Sequence, residues 1–315
     1  MALKKLTIVV PAFNEEEILS SSVQRLREIQ STMIDQQQIS DTSDFIIVDD
    51  GSTDRSWSII AELHDQHPYV RGLRFSRNFG HQSALIAGMK EAIKTADLIV
   101  TIDADLQDDP DKIFDMVEKA AAGADIVYGI RNNRESDSWF KRTTAQGYYA
   151  TLRLLGVNLI PNHADFRLMS KRAVETLMTY PERNMFLRGI IPKLGFPTEA
   201  VYYKRTPRLA GESKYPLKKM LAFAWDGITS LTVAPIRFIL ILGVLACLIA
   251  LGMVVYVVVM HLSGRVVPGW SSLMVSLWFI SGMQMISLGV IGEYIGKLTT
   301  EVKDRPRYTI ETKLN

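Results

Sequence analysis

The chain has 315 residues, is 47% hydrophobic and carries a formal net charge of +2. That length allows one or two domains, and so balanced a charge argues against a general nucleic-acid binder. A single cysteine, Cys247, excludes an intrachain disulfide and fits a reducing compartment, and no His/Cys cluster suggests zinc.

Only a handful of apolar residues separate Lys4 and Lys5 from Pro11, too few for the apolar region of a secretory signal, so the N-terminus is expected in the cytoplasm. Residues 6–10 read as a buried strand ending at Pro11, and residues 15–30 as a helix with Asn14 as its N-cap. A polar linker, 31–43, leads into a strand at 45–48 that ends in Asp49-Asp50-Gly51-Ser52-Thr53-Asp54. A helix at 55–67, a strand at 70–76 and a helix at 80–94 follow. The next apolar run, 98–102, ends in Asp103, Asp105 and Gln107, with Asp108, Asp109 and Pro110 behind it. A helix at 111–121 and a strand at 125–129 complete five strands alternating with four helices. That alternation predicts parallel βαβ units in a doubly wound sheet, an α/β fold whose strand-end loops converge on one edge.

If the strand at 98–102 continues extended, Asp103, Asp105 and Gln107 point to one side. Such oxygens suit a hard divalent cation, Mg²⁺ or Mn²⁺; the alternative is an acidic turn that caps the next helix, which Asp108 and Asp109 would serve equally. A dinucleotide fingerprint after the first strand and a Walker A loop are both absent, which argues against a redox enzyme or an NTPase.

Residues 131–153 interleave Arg131, Arg134, Lys141, Arg142 and Arg153 with Trp139, Phe140, Tyr148 and Tyr149. A basic, aromatic amphipathic segment suits a membrane surface with anionic head groups. Residues 204–219 repeat the pattern with Arg205, Arg208, Lys214, Lys218 and Lys219, around a loop Gly211-Glu-Ser-Lys214. Two uncharged runs, 238–260 and 270–292, each have the length of a membrane span. Gly282 and Gly289 would permit close helix approach, within a hairpin or in a homo-oligomer. Arg237 before the first run and Lys297, Lys303, Arg305 and Arg307 after the second predict both termini on the cytoplasmic side. The expected organisation is a catalytic domain at 1–232 with interfacial segments near 131–160 and 214–232, a transmembrane hairpin at 233–296 and a cytoplasmic tail at 297–315.

With these residues in place, the chain resembles the family 2 glycosyltransferases of the GT-A fold. It looks most like the polyprenyl-phosphate glycosyltransferases, the bacterial relatives of dolichyl-phosphate mannose synthase. The resemblance rests on an ordered set: Pro11-Ala-Phe-Asn-Glu15, Val48-Asp-Asp-Gly-Ser-Thr-Asp54, Asp103-Ala-Asp-Leu-Gln-Asp-Asp-Pro110, Ala164-Asp-Phe-Arg-Leu168, Gly211-Glu-Ser-Lys214 and the paired apolar runs. It implies a multi-pass enzyme of the cell membrane that moves one sugar from a nucleotide-sugar, UDP-glucose or UDP-N-acetylglucosamine, to a polyprenyl phosphate. Pro11, Glu15, Asp50 and Asp103 would then line the nucleotide-sugar pocket, and Asp105 and Gln107 would hold the metal. Arg131, Arg142, Arg208 and Ser213 would bind the lipid phosphate, and Asp105, Asp165, Arg131 and Lys214 would carry the transfer chemistry. Asp165 would act either as a base or, the favoured reading, as an ion-paired orienting carboxylate. Four residues after Arg142, where some relatives place a serine near the phosphate, this chain has Gln146. The rival implications are a lipid acceptor without phosphate, or an inactive nucleotide-binding membrane protein.

Overall fold

A computed structural model describes residues 3–132, 160, 163–182, 186–204, 229, 232–263 and 269–315. The chain divides into two compact units, of which the second is essentially Leu217–Asp304; the first holds the rest, including Arg305–Asn315.

The first unit is built on β1 (Leu6–Ala12), whose residues are all buried. A strand apolar on both faces belongs in the middle of a sheet covered on both sides, and β1 lies between β2 (Asp44–Asp49) and β4 (Leu98–Thr101), parallel to both. β3 (Val70–Phe75) extends the sheet parallel to β2. The helices α1 (Leu19–Asp35), α2 (Ser56–Gln66), α3 (His81–Ala92) and α4 (Lys112–Ala121) connect these strands and cover the sheet. Two apolar clusters result, one around Ile8, Val10, Phe45 and Leu26, the other around Val9, Ile46, Leu85 and Met89. α3 packs so closely that a Cβ on Gly88 would sit 2.2 Å from a methyl of Val9.

The remaining strands depart from simple βαβ alternation. β5 (Ile126–Arg131) does not join β4; β6 (His163–Ser170) inserts between them, antiparallel to both. β7 (Thr198–Tyr203) pairs parallel with β5 at one end of the sheet. At the other end β8 (Ile310–Leu314) pairs antiparallel with β3, so part of the segment read as a tail is sheet. The order in this eight-stranded sheet is β7-β5-β6-β4-β1-β2-β3-β8. α5 (Lys171–Met178), capped by Ser170 Oγ accepting from Ala173 N, and the short α6 (Leu187–Ile190) follow β6.

Some expected boundaries shift. α1 starts at Leu19 rather than at residue 15, and its N-cap position is Ile18 with no side-chain cap. Asn14 is not the cap: it stands at φ 56°, and its Oδ1 accepts instead from Thr53 N at 2.9 Å.

The second unit contains α7 (Ala234–Leu262) and α8 (Trp270–Val302). At about 1.5 Å rise per residue, each is longer than the ~30 Å hydrocarbon core of a bilayer. Among the described residues, only Ala234–Met260 is both long and apolar enough to cross a membrane by length and composition. The second expected span lies in α8, which is longer than anticipated and carries Glu293, Lys297 and Glu301 in its later turns. Tyr294 Oη of α8 donates to Thr232 O just ahead of α7, at 2.6 Å.

Candidate active site

Because β1, β2, β3, β4 and β5 run the same way, their carboxyl ends meet at one edge of the sheet. β6 runs against them, so its amino-terminal half returns His163 and Asp165 to that edge. Ligands of open α/β sheets bind there.

The loops after β1 and β2 are laced together. Asn14 N donates to Ser52 Oγ at 3.0 Å, Glu15 N to Ser56 Oγ at 2.9 Å, and Ser52 N to Asp49 Oδ1 at 3.1 Å. Gly51 makes the turn possible at φ 71°, with no room for a Cβ against the Arg77 backbone. Asp50 is buried and accepts from Phe79 N at 2.7 Å and Gly80 N at 2.9 Å, so a carboxylate sits at the positive end of α3. Burial raises its pKa, against the pull of those two amides. Pro11 closes β1 opposite Val48, and half-buried Glu15 follows in the loop.

The acidic motif is a turn, not a continued strand. β4 stops at Thr101, Leu106 N donates to Asp103 O at 3.2 Å, and Leu106 takes φ 42°. The expected alternation of side chains is therefore absent; the turn itself gathers the acidic groups, and Gln107 N donates to Asp105 Oδ1 at 3.3 Å. Asp103 Oδ1 is buried without a hydrogen-bond partner. Burial, with the charges of Asp165, Asp108 and Asp105, pushes the Asp103 carboxyl up to about 6 despite His81 nearby. Carboxylates and an amide oxygen in one turn, one acidic oxygen orphaned, fit a small hard cation that completes its shell with water and substrate oxygens. Among the described residues no three His, Cys, Asp or Glu side chains gather closely enough to form an all-protein metal cage.

Asp108 is neither a helix cap nor a solvated acid. It is buried, and its Oδ1 binds Arg131 through Nε at 2.8 Å and Nη2 at 2.7 Å. Arg131, expected at the lipid phosphate, thus closes β5 in an ion pair with the acidic turn. Arg142, Gln146, Arg208, Ser213 and Lys214, and most of the two basic segments, lie outside the described residues.

Asp165 is buried on β6 in a basic clamp. Arg167 Nη2 donates to its Oδ1, and Arg188 from α6 reaches its Oδ2 at 2.9 Å. Burial opposes its charge, but His81 and the two guanidinia outweigh burial and hold the carboxyl well below the usual range. His81, the first residue of α3, places Nε2 3.5 Å from both Asp103 Oδ1 and Asp165 Oδ2. Burial disfavours its charged form, yet the contact with Asp165 and the charges of Asp103 and Asp165 prevail and raise its pKa.

Sequence reasoning missed His81, Arg188 and the role of Asp108; the pairing of Asp165 with Arg167 was among its readings. Only the position of His81 directly after the loop Arg77-Asn-Phe-Gly80, at a strand end, signalled it. His163 shares the edge: burial first, then Arg167, lowers its pKa to about 4, and its Nδ1 is engaged with Ile160 O at 2.6 Å.

Comparison with known proteins agrees with this arrangement. Residues 7–178 match the family profile described as glycosyl transferase family 2, and residues 234–298 the one described as GtrB C-terminal hairpin. The uncharacterized glycosyltransferase YkoT of Bacillus subtilis is 48% identical over 309 residues, covering 98% of this chain and 92% of that one. The SfII prophage-derived bactoprenol glucosyl transferase of Shigella flexneri is 39% identical over 309 residues, covering 98% and 97%. A prophage bactoprenol glucosyl transferase homolog of Escherichia coli is 39% identical over 312 residues, covering 98% of each. A profile that covers β1 to β6 and the acidic turn, and relatives aligned nearly end to end, leave one conclusion: this chain is a transferase belonging to glycosyl transferase family 2.

Proposed function

We propose that the protein transfers a single sugar, with inversion, from a UDP-sugar to a polyprenyl phosphate at the membrane face, UDP-glucose being the first donor to test. The observation that carries this reading is the acidic turn Asp103–Gln107 set against the arginine-clamped Asp165 at the ligand-binding edge of the sheet. The relatives named bactoprenol glucosyl transferase support the lipid acceptor, and a span-length apolar helix supports the membrane.

In this reading a phosphate oxygen of the lipid attacks the anomeric carbon while the bond from that carbon to the β-phosphate oxygen breaks, releasing UDP. The acceptor is already ionised near neutral pH, so no strong general base is required. Mg²⁺ or Mn²⁺ held by Asp105 and Gln107 would neutralise charge on the departing diphosphate. Pro11, Glu15, Asp50 and Asp103 line the donor side. Asp165, with Arg167 and Arg188 on its oxygens, orients the site rather than taking a proton. Asp108 uses one edge of the Arg131 guanidinium, whose five N–H donors allow it to bind a phosphate as well. In this reading Arg142, Arg208 and Ser213 would bind the lipid phosphate and Lys214 would assist departure of the diphosphate. α7 and α8 form the two-span hairpin with both termini cytoplasmic.

The test is UDP release from membranes given nucleotide-sugars and undecaprenyl phosphate, with diacylglycerol as the competing acceptor. Release that requires the lipid phosphate supports the assignment; equal release with diacylglycerol, or none with any donor, overturns it. Asp165→Asn separates its two roles. A nearly unchanged rate at saturating acceptor supports orientation, and a rate that collapses with a shifted pH profile restores the base.

A further inference from the structure

Ser76, Arg77 and Asn78, which lead from β3 towards α3 at the ligand edge, are exposed. An exposed turn has few buried contacts of its own, so its neighbours decide where it stands. On one side the neighbour is the loop after β2. Asp50 accepts from Phe79 N at 2.7 Å and Gly80 N at 2.9 Å, and Gly51 backs onto the Arg77 main chain. On the other side the neighbour is the end of the chain. Ser76 N donates to Thr309 O at 3.1 Å, and Tyr308 stacks on Phe75 with centroids 5.0 Å and planes 13° apart. Phe75 in turn meets Phe79 edge to face, at 5.7 Å and 88°.

Three rings therefore run in series from residue 308 to the loop, and the amide of the third is one of the two that hold Asp50. Phe75 is buried, and Phe79 and Tyr308 pack half-buried against the same apolar cluster. The Arg77 guanidinium lies 3.9 Å from the centre of the Phe79 ring, which fixes the last ring further. The pairing of β3 with β8 shifts register between Arg74 and Phe75. Regular sheet pairing thus ends just before the loop, and the rings and the Ser76–Thr309 bond carry the support onward. A loop held in its binding form before the ligand arrives spares the cost of ordering it on binding.

We propose that Tyr308 is a positioning residue of the donor site, acting through Phe75 and Phe79 to hold the loop Arg77–Gly80 against Asp50. The assignment rests on the glycosyl-transfer reading and deepens it: affinity for the UDP moiety depends on a segment that follows α8 in the chain.

The experiment is calorimetric titration of the full chain in detergent with UDP and Mn²⁺, followed by turnover with UDP-sugar and undecaprenyl phosphate. It compares wild type, Tyr308→Phe, Tyr308→Leu, Phe79→Leu and the double variant Tyr308→Leu/Phe79→Leu. Tyr308→Phe keeps the ring and should match wild type in both measurements. Tyr308→Leu keeps apolar bulk but loses the stack. Its UDP affinity should fall about fivefold and its KM for the UDP-sugar rise by the same factor, the scale of one aromatic pair. KM for the lipid phosphate and kcat should stay unchanged, a split that a general loss of folding does not give. Phe79→Leu breaks the series at its far end, away from β8, and should show the same donor-side loss. In the double variant the two losses should not add, because both break one path. A Tyr308→Leu protein with wild-type UDP affinity, or one whose KM shifts equally for both substrates, overturns the proposal and leaves the glycosyl-transfer reading intact. Additive losses in the double variant do the same. Should Tyr308→Leu fail to fold, an unchanged donor KM in Phe79→Leu overturns the proposal by itself. Wild type that fails to bind UDP overturns both.

Discussion

The two units of this chain use apolar residues in opposite ways. In the sheet unit, Ile8, Val10, Ile47 and Leu85 are almost wholly enclosed by protein, and polar side chains occupy the outside and the ligand edge. In the helix pair, Phe238, Leu248, Ile249 and Phe279 are exposed, and α7 is apolar all round. A helix without a polar face has no water-facing side, so its partner is lipid or other protein. The lesson is that the first unit is organised from within, around β1, while the second is organised by its solvent. Charge has the same division: the buried ion pairs of the sheet unit are each closed by a named partner, whereas the span-length stretch of α7 carries a single charge, Arg237, near its start.

That contrast can be broken at four points. Asp105→Ala should abolish transfer, by roughly a thousandfold or more, without releasing the protein from membranes, and EDTA should do the same reversibly. Retained UDP release in either case removes the metal from Asp105. Leu248→Arg puts a charge on the exposed surface of α7, a change that costs about 2.5–3.5 kcal/mol at the centre of a span. The variant should become extractable by carbonate, and an unaltered membrane fraction counts against α7 as a span. Gly88→Ala drives a methyl into Val9 beneath α3 and should lower stability by about 1–3 kcal/mol, read as a fall in thermal midpoint of nucleotide-bound protein. Ser170→Ala removes the cap of α5 and should cost about 1 kcal/mol, with transfer kinetics unchanged. If the last two reverse in rank, the helix termini matter more to this unit than its sheet–helix contact.

Much of the sheet was legible because β1, β2 and β4 are short apolar runs punctuated by polar turns. β6 escaped because it alternates: His163, Asp165 and Arg167 interleave with Ala164, Phe166 and Leu168, and a charged stripe does not read as a buried strand. It is buried because Arg167 and Arg188 neutralise Asp165; Arg167 is local, but no local pattern announces Arg188, 23 residues away. β8 escaped for a related reason, since its place depends on β3 rather than on its own five residues. At the site, residue types were readable and geometry was not. Asp103, Asp105 and Gln107 were singled out on an extended strand, where there is a turn closed by Leu106. Arg131 was read as facing a ligand, and its ion pair with Asp108 was not foreseen.

β8 has a consequence for how the molecule is made. It follows α7 and α8 in the chain yet belongs to the first unit, where Tyr308 stacks on Phe75 at 5.0 Å and Lys313 binds buried Glu91 of α3 at 2.7 Å. The ribosome therefore delivers the outermost strand only after both long helices have emerged, and the sheet waits with an open border until then. A chain cut before Arg305 to obtain a water-soluble enzyme would keep every residue of the acidic turn and still leave β3 with naked backbone amides, a natural seed for aggregation.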